Sequence, residues 1–201
     1  MKKQAFVATA LSGITAVSAA VLLAPNLVNA STPAAQFPAT TVAINATNFP
    51  DENFRNIVKT FDDGDNKLTA AEISAVTKIS APRKEIADLT GIEYFTSLTS
   101  LVVYENQLTA LNVSSNLNLT ELNCGTNQIS TLDVTLNTAL TKLVCSNNQL
   151  TKLNVTKNTA LETLYCHTNQ IQTLNLSKNK ALKNLDCSNN PITTLNLQAN
   201  T

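Results

Sequence analysis

The sequence has no excess of either charge and few of the residues that usually build catalytic or metal sites. It contains 14 basic and 14 acidic residues, one histidine, four glycines and no tryptophan in 201 residues. Because it lacks a basic face, nucleic acid and anionic membranes are poor partners. The lone histidine and the absence of Cys-x-x-Cys pairs argue against a zinc site. These absences favour a binding or structural protein over an enzyme.

A secretory signal peptide is predicted at residues 1–30. Met1–Lys3 is a basic start, an apolar stretch of small residues runs from Ala5 to Ala24, and Val28–Ala30 offers a small-residue cleavage site. Serines, threonines and a glycine make this stretch too polar for a stable membrane span, and no later segment is apolar for long enough. We therefore expect a secreted or cell-surface protein whose mature chain does not insert into a membrane.

What the sequence does contain is a repeat of 21 residues that runs from Leu98 to Thr201 without an insertion. Each unit follows the pattern L-x-x-L-x-C-x-x-N-x-L/I, with valine in place of cysteine in the first unit. This is the signature of a leucine-rich repeat. The repeated positions are Leu98, Leu119, Leu140, Leu161 and Leu182; Leu101, Leu122, Leu143, Leu164 and Leu185; and Asn106, Asn127, Asn148, Asn169 and Asn190.

Each unit consists of two halves with similar spacing, since Ile129–Asn137 repeats the arrangement of Leu119–Asn127. A unit this short cannot bury its own leucines, so units stack and share one core. The spacing lacks the long helical period that a helical back wall would need. We predict an α/β solenoid, a right-handed leucine-rich repeat coil with a parallel β-sheet, short extended segments on its back wall and a small α-helical N-terminal cap.

The asparagines and cysteines of the repeats are predicted to form two inward-facing rows. Each asparagine follows a strand, where its amide can bond backbone groups that the turn would otherwise leave unpaired. The cysteines share the position of Val103, which indicates a site for a small apolar group. Stacked side chains with parallel Cα–Cβ bonds do not favour disulfides. We therefore expect free buried thiols at Cys124, Cys145, Cys166 and Cys187.

The part that precedes the repeats is predicted to have three segments. Residues 31–47, rich in Ala, Thr and Pro, read as a flexible leader. Residues 48–76 form a helical cap and residues 77–97 an atypical first repeat. Five regular repeats at 98–201 complete the chain.

Two helices are expected in the cap. The first covers Phe49–Phe61, with Pro50 at its first helical position. The second covers Ala70–Val76, and Thr69 and Glu72 have the spacing of a capping box at its start.

The acidic stretch between these helices resembles an EF-hand loop. Alignment places Asp63, Asp65 and Glu72 at ligand positions for calcium. Phe61 falls on the first ligand position, however, and Asn66 stands where the tight turn has a glycine. These departures favour the alternative, an acidic helix–turn–helix with Glu72 as a capping residue. Apart from calcium, we expect no cofactor.

Alternation along the strands leaves rows of side chains on the outer, concave side of the predicted sheet. Two tyrosines and the histidine there are the aromatic anchors typical of protein interfaces. The candidate binding residues are Tyr104, Glu121, Lys142, Tyr165, His167 and Asp186. Asp186 and Ser146 come from repeats adjacent to that of His167, so a His167–Asp186 contact within a possible triad is geometrically feasible. No oxyanion-hole glycine turn accompanies it, and we predict no enzymatic activity.

The N-terminal part of the chain resembles a known family. Asn48–Arg55, Asp62–Glu72 and Asp88–Phe95 look like the N-terminal part of secreted bacterial leucine-rich repeat proteins, and the order of signal peptide, EF-hand-like cap and repeats is similar to the internalins. The resemblance implies a protein-binding module and, as for some internalins, host-directed adhesion through the concave sheet.

The alternative function is that of a structural spacer within a larger surface protein. No capping segment follows the last repeat, although a solenoid normally needs a cap at both ends. We therefore expect Pro191–Thr201 to be the most labile part of the chain. The alternative is that a partner, a second copy of the chain or further sequence covers it.

Overall fold

A computed structural model describes residues 41–200, and within them six short strands stack into one parallel sheet. The strands are β3 (Lys78–Ser80), β4 (Ser100–Val102), β5 (Glu121–Asn123), β6 (Lys142–Val144), β7 (Thr163–Tyr165) and β8 (Asn184–Asp186). They pair in chain order, so that Leu122 lies beside Leu143. The predicted stack of repeats is confirmed, and β3 is the strand of the predicted atypical first repeat.

The leucines of successive repeats form one continuous core. Leu101, Leu122, Leu143 and Leu164 have no solvent exposure, and burying one such side chain contributes roughly 1.5–3 kcal/mol. Each repeat is covered by the one that follows it. The last repeat is therefore only partly buried, and Leu195 and Leu197 are 38% and 43% exposed.

The back of each coil contains neither a helix nor a hydrogen-bonded strand between residues 98 and 200. The chain instead returns to the next strand through two consecutive turns. In one repeat the Asn137 N–H donates to the Val134 carbonyl at 3.0 Å, and the Leu140 N–H donates to the Asn137 carbonyl at 3.1 Å. A helical wall is absent from these repeats, as predicted, but the back segments do not pair into a second sheet.

The asparagine that follows each strand bonds backbone groups of its own and the preceding repeat, as predicted. We call this set the front row, and it consists of Asn106, Asn127, Asn148, Asn169 and Asn190. Asn148 donates to the carbonyls of Cys124 and Cys145 at 3.0 and 3.2 Å, and its Oδ1 accepts the Ile129 N–H at 2.9 Å. A second set, the back row, follows the back segments and consists of Asn116, Asn137, Asn158, Asn179 and Asn200.

The cap contains two short helices, α1 (Glu52–Val58) and α2 (Ala70–Ala75). Helix α1 begins later than predicted because Asp51 accepts a hydrogen bond from the Phe54 N–H at 2.8 Å and caps it, which leaves Pro50 outside the helix. A 3₁₀ turn at Lys59–Phe61 follows α1. The predicted capping box of α2 is present between Thr69 and Glu72.

Residues 41–47 are ordered, which differs from the prediction of a flexible leader. Strand β1 (Thr41–Ala43) pairs antiparallel with β2 (Lys67–Thr69), and Val42 is buried because the pairing turns it into the core of the cap. The predicted signal peptide and residues 31–40 of the predicted leader lie outside the described residues. Between residues 41 and 200, no helix has the length and apolar character needed to cross a membrane.

An aromatic cluster joins the cap to the first repeat. The ring centroid of Phe49 lies 6.0 Å from that of Phe54 and 6.5 Å from that of Phe95. Gly91 lies against this cluster with a φ of 103°, and a Cβ there would collide with the Phe49 ring. Only glycine satisfies both conditions. Residues 37–201 form one compact unit with this core.

Candidate functional site

The outward side of the parallel sheet, which we call the sheet face, carries three rows of side chains. Each row takes one residue from each of five successive repeats, because the strands pair in register. The rows are Ser100, Glu121, Lys142, Thr163 and Asn184; Val102, Asn123, Val144, Tyr165 and Asp186; and Tyr104, Gly125, Ser146, His167 and Ser188.

Tyr165 is the one large hydrophobic side chain of the described repeats that stands exposed on the sheet face. It is 37% exposed, and the strand register places it between Val144 and Asp186. His167 follows it two residues later on the same side of the chain and is half-buried. An apolar ring with a hydroxyl, surrounded by polar groups, is typical of interface anchors.

The charged groups of the sheet face are held by neighbouring side chains. Lys142 Nζ lies 2.9 Å from Glu121 Oε1, and the Ser100 hydroxyl donates to Glu121 Oε2 at 3.1 Å. The hydrogen bond from Lys142 lowers the pKa of Glu121. Hydrogen bonds from the Ser188 hydroxyl and N–H, at 2.7 and 3.0 Å, lower the pKa of Asp186. Both carboxylates are therefore ionised and fixed at neutral pH.

Tyr104 belongs to a separate cluster at the N-terminal end of the sheet face. The Arg83 guanidinium lies 5.8 Å from the centre of its ring and forms two bonds with Glu105, at 2.7 and 2.8 Å. Three repeats separate Tyr104 from His167, about 14 Å at the usual strand spacing. Arg83 was not among the predicted site residues, although the offset of 22 residues between β3 and β4 aligns it with Glu105, next to Tyr104.

The three residues of the possible triad are not assembled. Ser146 is only 6% exposed, whereas the sequence placed it among the exposed residues. In its row Ser146 lies between Gly125 and His167, and the Thr126 N–H donates to its carbonyl at 2.8 Å. His167 Nδ1 lies 3.2 Å from Thr168 Oγ1, and within residues 41–200 it has no hydrogen bond to Asp186 or Ser146. The arrangement provides no activated nucleophile.

The acidic loop brings together a set of carboxylates that differs from the predicted one. Oxygen atoms of Asp62, Asp63 and Glu72 lie within 4.8 Å of one another. Asp65, predicted as a ligand, instead accepts the Lys67 N–H at 2.8 Å. Asn66 takes the left-handed position with a φ of 61°, which asparagine tolerates in place of glycine.

The grouped carboxylates already bond the backbone of the loop. Asp62 accepts the Asn66 N–H at 3.1 Å, and Glu72 accepts the N–H groups of Asp63 and Thr69 at 2.9 and 2.7 Å. The bonds from Thr69 lower the pKa of Glu72. These contacts hold the loop closed as a capped turn, and calcium binding stays a prediction.

The four cysteines are free, as predicted, and three of them are buried. Burial raises the pKa of the Cys124 and Cys166 thiols to about 12 and raises that of Cys145 well above its usual range. Cys187, in the partly covered last repeat, is half-buried, and its pKa is raised to a lesser degree. The thiolate is the reactive form of cysteine, so thiols with a raised pKa are unreactive at neutral pH. These cysteines therefore act as small apolar packing groups.

No protein-family model matches the chain. The crystal structure of an internalin, InlF, from Listeria monocytogenes superposes on it with a TM-score of 0.73, at 23% identity, over 79% of this chain and 49% of that one. The chain thus has the leucine-rich repeat solenoid fold of this internalin. Internalin J of Listeria monocytogenes is 38% identical to it over 70 residues, which are 34% of this chain and 8% of that protein.

The internalin-like solenoid thus spans less than a tenth of the curated relative and about half of the solved internalin. The functional domain of InlJ from Listeria monocytogenes, which includes a cysteine ladder, aligns over 81% of this chain and 51% of its own at 27% identity. Its TM-score is 0.37, and a superposition this poor carries no information about the fold here.

Proposed function

We propose that the sheet face binds a protein ligand and that Tyr165, His167 and Asp186 form the centre of the contact. The observation that supports this proposal is the exposure of Tyr165, 37% in the middle of a polar, rigidly stacked surface. Aromatic anchors surrounded by polar groups dominate the energetics of protein interfaces.

The chemistry of this centre defines what the partner presents. The Tyr165 ring and the half-buried Val144 offer an apolar contact, and Asp186 is a fixed carboxylate two repeats from the Lys142–Glu121 ion pair. A complementary protein surface would place an apolar side chain over Tyr165 and a cationic group beside Asp186.

Secretion or display at the cell surface, and adhesion to a host cell, belong to the same proposal. They are supported by the predicted signal peptide at residues 1–30 and by the internalin-like fold. A structural spacer is the alternative, because the repeats on their own also extend the chain.

Protein capture on a matrix tests the proposal. Residues 37–201, immobilised, are exposed to biotinylated surface proteins from cultured epithelial cells, and captured proteins are identified by mass spectrometry. The double variant Tyr165→Ala/His167→Ala should capture at least roughly tenfold less of a specific protein, since loss of interface anchors has effects of this size.

The matched control is Thr131→Ala/Thr151→Ala, which removes two exposed side chains from the back of the two preceding repeats. It should capture as much as the unmodified chain. Equal capture by both variants would exclude the sheet face as the binding surface, and the absence of specific capture by the unmodified chain would favour the spacer.

A further inference from the structure

The charges of the repeats are sorted by position around the coil, although their numbers nearly balance. Between Leu98 and Thr201 there are six basic and five acidic residues, a balance that predicts no basic face. Four of the five acidic residues, Glu105, Glu121, Glu162 and Asp186, lie in or next to the sheet strands. Two of the lysines are also there, where Lys142 pairs with Glu121 and Lys183 with Glu162, each at 2.9 Å.

The turns that lead from the back to the next strand contain no acidic residue in four successive repeats. We call them the return edge, and they are residues 114–118, 135–139, 156–160 and 177–181. This edge carries Lys157, Lys178 and Lys180, all exposed and, in the part of the chain that the structure describes, without an ion-pair partner. Lys157 and Lys178 occupy the same position in adjacent repeats, about 4.8 Å apart at the strand spacing.

The same edge exposes two leucines. Leu117 and Leu136 are 53% and 54% exposed, more than any other large hydrophobic residue between positions 41 and 200. Leu136 occupies the repeat position of Lys157, and Leu117 that of Lys180. The return edge is therefore apolar in the first two repeats, which carry the leucines, and basic in the third and fourth, which carry the lysines.

The turns of the return edge present these side chains from a fixed backbone. Asn137, buried within one of them, donates to the carbonyls of Val113 and Asn116 in the preceding repeat, both at 2.9 Å. Equivalent bonds from Asn158 and Asn179 hold the next two turns. The edge is thus a rigid line of turns, with leucines at one end and lysines at the other.

We propose that the return edge docks on an anionic lipid surface, with the lysines at the phosphates and Leu117 and Leu136 between the headgroups. Charge complementarity carries the argument, because the return edge presents three lysines without an ion-pair partner to an anionic surface. Of the acidic residues that flank the edge, Asp133 bonds Thr135 and Glu162 pairs with Lys183. Exposed leucines next to lysines are the pattern of interfacial membrane contact. The four turns contain no aromatic residue on which nucleic-acid bases could stack.

The binding should be reversible and sensitive to salt. Each lysine close to an anionic bilayer raises the partition coefficient roughly fivefold, so the three together contribute roughly a hundredfold. Screening by salt removes most of this contribution, because the lysines are exposed to solvent.

Sedimentation with vesicles tests the proposal, using residues 37–201, which form one compact unit with its own core. Vesicles of phosphatidylglycerol and phosphatidylcholine in equal parts should bind the chain at low salt, and vesicles of phosphatidylcholine alone should not. The triple variant Lys157→Gln/Lys178→Gln/Lys180→Gln should lose roughly a hundredfold in partition coefficient. The double variant Leu117→Ser/Leu136→Ser should lose roughly tenfold.

The matched control, Lys59→Gln/Lys67→Gln/Lys84→Gln, removes the same charge from exposed lysines outside the return edge and should bind nearly as well as the unmodified chain. Circular dichroism confirms that each variant is folded. No binding to the anionic vesicles, or equal losses in the two triple variants, would overturn the proposal. If the leucine variant bound the vesicles as well as the unmodified chain, and the chain bound dextran sulfate equally tightly, the lipid proposal would be wrong. The ligand of the return edge would then be a soluble polyanion.

Discussion

The two asparagine rows use the same side chain in different ways. In the front row, Asn148 donates to the carbonyls of Cys124, Cys145 and Ser146, and its Oδ1 accepts the Ile129 N–H. In the back row, Asn158 donates to two carbonyls at 2.9 and 2.8 Å, but its Oδ1 accepts no hydrogen bond from the described residues. All five members of the back row share this unpaired, buried Oδ1.

The difference arises from which acceptors the backbone N–H groups of the two kinds of turn bond. In the front turns these groups point to neighbouring repeats, as when the Gln128 N–H donates to the Leu108 carbonyl at 2.8 Å. In the back turns they are used within the repeat, since the Asn158 N–H bonds Val155 and the Leu161 N–H bonds Asn158. Within the described residues, none of these N–H groups donates to the back-row Oδ1.

Burial alone therefore does not predict which of the two rows contributes more to the free energy of unfolding. Asn158 has no solvent exposure, yet it leaves an acceptor unpaired, while the partly exposed Asn148 bonds through both ends of its amide. An unpaired buried acceptor costs about 1–3 kcal/mol. The front row should therefore contribute more to stability than the better buried back row.

The buried cysteine thiols make the stability of the protein depend on pH in the alkaline range. The two asparagine rows should therefore be compared at a lower pH. Thiols of the unfolded chain ionise near pH 9, while those of Cys124 and Cys166 stay protonated to a pKa of about 12. Because the pKa is higher in the folded state, the contribution of these thiols to the free energy of unfolding is complete below pH 9. It is lost as the pH rises towards 12. Three buried thiols should together lower the free energy of unfolding by about 4 kcal/mol per pH unit in this range.

Urea unfolding under reducing conditions, at a series of pH values, measures this slope. The variant Cys124→Val/Cys145→Val/Cys166→Val should show a much flatter dependence, because Val103 already fills the same position in the first repeat. An identical slope in the two proteins would contradict the assignment to the thiols.

A direct test of the two rows compares Asn148→Ala with Asn158→Ala at pH 7. Asn148→Ala leaves the Ile129 N–H without a partner and removes one of the two hydrogen bonds at each of the carbonyls of Cys124, Cys145 and Ser146. It should cost about 3 kcal/mol. Asn158→Ala leaves no N–H unpaired, because the carbonyls of Val134 and Asn137 keep their backbone N–H partners, and it removes the unpaired Oδ1. It should therefore cost only about 1 kcal/mol. Both variants delete the same atoms and serve as each other's control in urea unfolding. Equal losses would show that the unpaired Oδ1 has no energetic effect.

The residue before each front-row asparagine should show an effect of intermediate size. Glu105, Thr126, Asn147, Thr168 and Asn189 all adopt a φ between 52° and 55°. Asparagine tolerates this left-handed conformation, whereas a β-branched residue such as Thr126 adopts it only at an energetic cost. Thr126→Asn should raise the free energy of unfolding by about 1 kcal/mol, and Asn147→Ala should lower it by a similar amount.

The control for this row is Thr131→Asn, an exposed threonine of the next back segment without a positive φ. It should change the unfolding free energy little. A comparable gain from Thr131→Asn would attribute the effect to asparagine itself rather than to the backbone conformation.

The smallest effect is expected on the sheet face, outside both rows. Lys142→Ala should raise the pKa of Glu121, because the hydrogen bond from Lys142 is the main cause of its lowered value. The two side chains are 46% and 34% exposed, so the loss of stability should be under about 0.5 kcal/mol. A lowered folded-state pKa means that this contribution is present above the unfolded pKa and lost as the pH falls through the folded one.

An NMR titration of the Glu121 carboxyl checks this prediction. Lys152→Ala, which removes a lysine without an ion pair in the described region, is the control and should leave the Glu121 pKa unchanged. A shift of equal size in both variants would indicate a general charge effect.

The sequence predicted the features that depend on period and residue type. A spacing of 21 residues dictates which side chains stack, so the parallel sheet, the free thiols and the front row followed from it. The capping box at Thr69 and Glu72 is equally local and was also predictable. In each case the partners are fixed by short or exactly repeated distances along the chain.

Only the tertiary structure decided the features that depend on which backbone groups remain free after folding. These features are the pairing of β1 with β2 and the presence of Asp62 rather than Asp65 in the group of close carboxylates. The burial of Ser146 and the unpaired back-row Oδ1 atoms are of the same kind. The tertiary structure also gathered lysines and exposed leucines at the return edge, although the sequence as a whole is charge-balanced. Period determines which residues are neighbours, but the path of the turns between strands determines which of their groups meet each other and which meet water.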